Sequence, residues 1–256
     1  MAALEGREVI EVRRLGKRIA FRFTEDHWLV IHLMIAGRLH WFAKDTKVSG
    51  RAALARLNFD SGTLTLTEAG TKRRAAIYVL AGEQDWSRHD RGGLEVLEAP
   101  YEDFRSRLLS ENHTLKRSLT DPRMFSGIGN AYSDEILHRA KLSPLAQTRK
   151  LSDEQIRSLY DAAREELVEW TELLRKEAGD EFPEGVTAFR KEMAVHGKFG
   201  KPCPICGTAV QRIRYAENET NYCPRCQTGG KILADRSLSR LLKDDWPRNI
   251  DELERL

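Results

Sequence analysis

Cys203-Pro204-Ile205-Cys206 and Cys223-Pro224-Arg225-Cys226 hold every cysteine of the chain, and their reading decides how its C-terminal part folds. Sixteen residues separate the two pairs, inside the roughly 15–20-residue spacing of paired C-x-x-C motifs that bind one tetrahedral zinc. Each pair forms a knuckle presenting two thiolates, and the stretch between them is long enough for a β-hairpin. Gly207 follows the first knuckle, and Gly229-Gly230 lies just beyond the second. Cys203, Cys206, Cys223 and Cys226 are therefore expected to hold Zn2+ in a ribbon. On spacing alone the ribbon is a structural staple. A disulfide framework suits a short secreted chain, and no signal peptide is evident here.

Working outward, 256 residues are ample for a buried core and suggest two domains. A hydrophobic fraction of 41% with 32% charged residues describes a folded globular chain. The first apolar run, Trp28 to Met34, is seven residues long and too short to span a bilayer. A reducing interior is the expected compartment. Net charge is +3 but unevenly placed. Residues 1–90 carry 15 basic and 11 acidic side chains, residues 196–231 carry 6 and 2, and residues 91–195 carry 16 and 20. Two basic segments around a helical, slightly acidic one suit the walls of a polyanion groove.

Residues 7–80 read as short strands: Val9 to Val12, Ile19 to Phe23, Trp28 to Leu33, Leu39 to Phe42, Leu57 to Phe59, Leu64 to Thr67 and Ala76 to Leu80. Asp60-Ser61-Gly62 is a hairpin signal. The pattern predicts an antiparallel sandwich or barrel. Gln84 to Gly93 is polar and reads as a linker. From Tyr101 the spacing turns helical, over 101–110, 112–120, 130–140 and about 153–177, with Ser152 as a cap. Asp180 to Gly185 reads as a loop and Val186 to Glu192 as a short helix. The tail from Ile232 reads as two helical pieces broken at Trp246-Pro247.

A second strong signal is Phe125-Ser126-Gly127-Ile128-Gly129-Asn130-Ala131-Tyr132-Ser133-Asp134-Glu135-Ile136-Leu137. Two glycines make a tight turn, and Asn130 stands where a helix N-cap belongs. The N–H groups and dipole at such a helix start attract a phosphate. Together with the ribbon, this segment resembles the helix–two-turns–helix of the formamidopyrimidine-DNA glycosylase and endonuclease VIII family. The resemblance extends to Leu15-Gly16-Lys17-Arg18, Ile31-His32-Leu33, Gly37-Arg38-Leu39 and Leu115-Lys116. It continues through His196-Gly197-Lys198-Phe199-Gly200-Lys201-Pro202-Cys203 and Thr220-Asn221-Tyr222-Cys223.

The resemblance implies an α+β protein: an antiparallel β-sandwich in residues 1–90, a helical domain carrying the helix–two-turns–helix in 91–195, a zinc finger in 196–230 and a tail in 231–256. It implies a monomeric DNA-repair protein of the cytoplasm and nucleoid, without membrane contact, acting on damaged double-stranded DNA. The implied activity is a bifunctional glycosylase/AP lyase that excises oxidised bases through a Schiff base and β-elimination, with the lesion flipped from the stack. Lys17 matches a proton donor of β-elimination that also touches phosphate. Lys116 and Asn130 match phosphate contacts. Ile35 falls where a side chain fills the gap left by the flipped base, or else serves as a strand core residue. Arg73, within Lys72-Arg73-Arg74, lies where side chains enter opposite the lesion, or belongs to a solvated face. Asn218 stands where the family has a finger arginine for δ-elimination, with Arg212 or Arg214 nearby. His32 reads as a structural strand histidine.

The family nucleophile is an N-terminal proline amine followed by a glutamate, whereas this sequence begins Met1-Ala2-Ala3-Leu4-Glu5. The expectation is that the natural protein is longer, with the alternative of a non-catalytic binder of abasic or distorted DNA. A protein–protein scaffold built on the ribbon is a third reading.

Overall fold

The structure is a computed structural model and describes residues 2–44, 46, 53–69, 72–185, 187–215, 218–235, 238–242, 246–253 and 255. It divides into two compact units, residues up to Arg91 with Leu173–Thr187, and Gly92–Glu172 with the chain from Ala188 onward.

Among the described residues, β-branched and aromatic side chains build the first unit from seven strands. These are β1 (Val9–Leu15), β2 (Arg18–Phe23), β3 (His27–His32), β4 (Gly37–Ala43), β5 (Ala53–Phe59), β6 (Gly62–Glu68) and β7 (Ala76–Ala81). One sheet runs β1-β2-β3-β7 and the other β4-β6-β5, with every pair antiparallel. Phe23, Leu29 and Ile31 of the first sheet meet Leu64 and Leu66 of the second, forming the sandwich core. Strand β3 is buried on both faces, because Trp28 and Val30 pack with Leu15, Ala20 and Leu80 under a helix. That explains its unbroken apolar run. Asp60-Ser61 closes the β5–β6 hairpin, with Phe59 opposite Gly62. A Cβ at Gly62 would lie 2.6 Å from both the Phe42 carbonyl oxygen and the Trp41 ring, so only glycine fits there.

The covering helix is α1 (Gly82–His89), so the segment from Gln84 that reads as a linker is helical through His89. Composition hides this, since the helix is polar apart from Trp86. That indole stacks on Trp28 with centroids 4.3 Å apart, and Asp85 accepts a hydrogen bond from Ala81 N–H. Tertiary packing, rather than an apolar stripe, holds it.

The second unit contains α2 (Tyr101–Ser110), α3 (Leu115–Thr120), α4 (Asn130–Arg139) and the first part of α5 (Asp153–Ala178). Phe104, Leu108, Leu115, Leu119, Phe125, Ile128, Ile136, Leu137, Ile156 and Leu159 form its core, all essentially sealed from solvent. Ser152 and Gln155 make a reciprocal capping box at the start of α5, at 3.0 and 3.2 Å. The ribbon follows as β8 (Gln211–Tyr215), β9 (Asn218–Tyr222) and the short α6 (Pro224–Thr228), then α7 (Leu238–Leu242) and α8 (Ile250–Leu253). Ile232 N–H donates to Arg248 C=O and Ile250 N–H to Gly230 C=O, which folds the tail back on itself beside the ribbon.

The expected helix from Val186 to Glu192 does not form among the described residues, and Val186 itself lies outside them. The chain there is drawn into loop geometry where Phe189 stacks on His196 and Glu135 captures the N–H groups of Ala194, Val195 and His196. No described helix is long and apolar enough to cross a membrane.

Candidate nucleic-acid interface

The two knuckles converge. The four cysteine sulfurs lie within 4.8 Å of one another, with Cys203 Sγ 3.9 Å from Cys226 Sγ and Cys206 Sγ 3.4 Å from Cys223 Sγ. Tetrahedral Zn–S bonds of about 2.3 Å place sulfurs roughly 3.8 Å apart, so the donor set fits zinc. Gly207 N–H donates to Cys203 C=O, turning the first knuckle, and Cys223 caps α6, which carries Cys226. Burial pushes the Cys226 thiol up to about 11 and the Cys223 thiol further, so a cation entering the site would replace protons.

Helix α4 starts one residue earlier than an N-cap at Asn130 implies. Gly129 is the N-cap, without a side-chain capping bond, and Asn130 is the first helical residue. The Asn130 amide instead donates to Glu219 C=O on β9 at 2.9 Å. The helix start and the ribbon hairpin are thus one surface. Ser133 Oγ closes the turn on Gly129 C=O at 2.8 Å, and by helix geometry the N–H groups of the first turn still point outward.

Lys116 reaches into this turn from α3. Its amine donates to Asn130 C=O at 2.7 Å and to Asp134 Oδ1 at 2.5 Å. Burial holds the amine below the usual lysine range, while Asp134 pulls the other way. The fully buried Asp134 also meets His196 Nδ1 at 2.8 Å and accepts from Asn221 N–H at 3.2 Å. The lysine charge is therefore largely neutralised within the fold.

In the finger, Arg212 pairs with Glu219 at 3.2 Å and lies over the Phe199 ring. Asn218 and Arg214 are exposed at the hairpin, and the Arg214 backbone N–H is held by buried Asp235 at 2.7 Å.

The first unit carries a separate cluster at one rim of its sandwich. Register brings together the start of β2, the end of β3 and the start of β7, since Ile19 pairs with Ile31 and His32 with Ala76. Lys17 is solvent-exposed but ringed closely enough that burial lowers its pKa. Burial, then the charges of Arg18 and Lys17, hold the His32 imidazole below its usual range. Three cationic or basic groups thus share a small space. Ile35 is not a strand core residue: it sits in the β3–β4 turn and is 71% exposed. Met34 beside it adopts φ +54°, and a Cβ at Gly37 would lie 2.3 Å from Leu33 C=O, so glycine is needed to close the turn. Arg73 is exposed in the segment entering β7, whose backbone N–H groups at Arg74 and Ala75 are bound by Glu68 at 2.8–3.0 Å.

Residues 1–77 match the formamidopyrimidine-DNA glycosylase N-terminal domain, residues 95–176 the H2TH domain of the same enzymes, and residues 200–229 a zinc finger found in FPG and IleRS. A formamidopyrimidine-DNA glycosylase of Thermus thermophilus is 35% identical over 241 residues, covering 90% of this chain and 86% of the relative. The chain belongs to the formamidopyrimidine-DNA glycosylase family. A formamidopyrimidine-DNA glycosylase-like protein of Mycobacterium tuberculosis, described as uncharacterized, is 41% identical over 151 residues, covering 59% of this chain and 94% of that one. The structure of Lactococcus lactis FPG in complex with a FAPY-dG containing DNA superposes with a TM-score of 0.76 at 25% identity, covering 89% of this chain and 84% of that chain.

Family membership accounts for the α+β architecture and the four-cysteine finger, and it directs attention to residues that sequence reading passed over. His32 reads as structural, yet it faces Lys17 and Arg18. Met34 widens the apolar tip at Ile35. Asp134, Glu135 and His138 are polar but buried, each within 3% of full burial. With Asn130 they fall at i, i+4, i+5 and i+8, one edge of a helix. A polar edge opposite Ile136 and Leu137 is the signal that this helix docks on something polar.

Proposed function

We propose that this protein recognises lesions in double-stranded DNA and takes part in their repair as a glycosylase/AP lyase of oxidised bases. The bond from Asn130 to Glu219 C=O carries the reading, because it joins an anion-attracting helix start to the finger hairpin as one grip on the sugar–phosphate strand. The outward N–H groups and dipole of α4 receive a phosphate. Lys116 braces the turn from behind, and exposed Arg214 supplies the finger's cation where Asn218 stands. Zn2+, held by Cys203, Cys206, Cys223 and Cys226, supplies folding of the ribbon and no bond chemistry.

At the sandwich rim, Lys17, Arg18 and His32 hold a second phosphate, and Lys17 donates a proton during β-elimination. Ile35, with Met34, enters the stack as an apolar wedge, and Arg73 approaches the base opposite the lesion. The covalent step needs an amine that attacks the sugar C1′ and releases the base. In the family that amine belongs to a proline preceding a glutamate, and no residue of the present sequence is assigned to it.

Borohydride trapping on abasic duplex DNA tests the chemistry, using this chain and any longer product of the same gene. The form carrying the amine gives a covalent adduct, and Lys17→Gln lowers its elimination product. Direct titration tests binding: abasic duplex is held more tightly than intact duplex, and with about three phosphates neutralised the log–log salt slope is near −3. Equal affinity for both duplexes with no adduct from any form contradicts the proposal.

A further inference from the structure

Three residues on the docked edge of α4 meet groups of the ribbon and its lead-in: Asn130 with Glu219, Asp134 with His196 and Asn221, and Glu135 with Ala194 to His196. The fourth meets a metal ligand. His138, buried in the second unit, places Nε2 3.3 Å from Cys203 Sγ, itself buried. Thiolates bound to a cation only accept hydrogen bonds, so the contact requires the ring to carry its proton on Nε2.

We propose that His138 is a positioning residue of the metal centre, its Nε2–H donating to the Cys203 thiolate and fixing that sulfur to α4. The proposal rests on the reading that the four cysteines hold Zn2+. Four thiolates around one divalent cation leave two net negative charges in a half-buried site, and each donated N–H offsets part of that charge. The same bond draws electron density from sulfur, making it a poorer nucleophile and a poorer target for oxidants. Cys223 receives a comparable donor from its own knuckle, the N–H of Cys226 at 3.5 Å. Cys203 takes its donor from a different element, so the metal is tied to the helix that begins at the phosphate turn.

The test needs no DNA. The full chain and its His138→Leu and His138→Gln variants are loaded with Zn2+, and transfer of the metal to a chromophoric chelator is followed. Co2+-loaded samples report the thiolate-to-metal charge-transfer band. Leucine preserves bulk without a donor and is expected to lower metal affinity about 10- to 100-fold and shift the band to lower energy. Glutamine offers an Nε2–H near the same point and restores most of the affinity and the band. A leucine variant indistinguishable from the native chain overturns the proposal. So does a glutamine variant as impaired as leucine, since shape alone would then explain the site. Should the leucine variant fail to fold, by far-ultraviolet circular dichroism, the glutamine result decides. A native chain showing no Co2+–thiolate band at all would instead remove the zinc reading, a distinct outcome.

Discussion

Asp121 organises the approach to the glycine turn before α4. Its carboxylate accepts the N–H of Arg123 at 2.9 Å and two guanidinium bonds, and its carbonyl accepts from Met124 and Phe125. The Arg123 bonds hold the Asp121 carboxyl down to about 2. A depressed carboxylate stabilises the fold above its unfolded pKa of about 3.9, and that contribution is lost as pH falls through 2. The shift alone corresponds to about 2.5 kcal/mol, which screening of the 62%-exposed Arg123 reduces to about 1 kcal/mol. Asp121→Asn should therefore unfold at lower urea at pH 7, and the gap should narrow between pH 4 and 2.5. A gap constant with pH would rule out the ion pair as its cause. Single residues were the least legible level of the sequence. Lys116 reads as a phosphate contact, and nothing in the sequence signals the bond its amine makes to Asp134, 18 positions away. His32 acquires its meaning only from Lys17 and Arg18, which strand pairing brings beside it.

Elements were more legible, because their periodicity is local. The described strands of the sandwich follow alternation or apolar runs in the sequence, and the long helix begins just after the expected cap Ser152. The misread segments, α1 and the stretch up to Glu192, are short and polar, and partners distant in sequence decide their shape. The α4–α5 contact illustrates such a partnership. Arg139 bonds Glu166 at 2.6 Å and also pairs with Glu165 and Glu169, while Trp170 Nε1 donates to the same buried Glu166 at 2.7 Å. Removing the arginine leaves a buried carboxylate without its cation. Arg139→Ala is expected to destabilise the protein by about 3 kcal/mol, and adding Glu166→Gln should recover a large part of it. Denaturant titration of both variants checks this, and a double variant no more stable than the single would place the loss in packing instead.

At the scale of the whole chain, each unit has its own core. The zinc spacing and the glycine-hinged helix start were both readable in the sequence, but not the bond joining them, since Asn130 and Glu219 lie 89 positions apart. In the proposed function, the finger and the helix start grip DNA as one body. This joint grip is tested most directly by removing zinc with a chelator while measuring affinity for an abasic-site duplex across salt concentrations, in the native chain and in Asn130→Ala. Affinity and salt slope are expected to fall together with metal content, and Asn130→Ala to have little further effect once zinc is gone. A zinc-free chain that binds with native affinity and slope would contradict the joint grip.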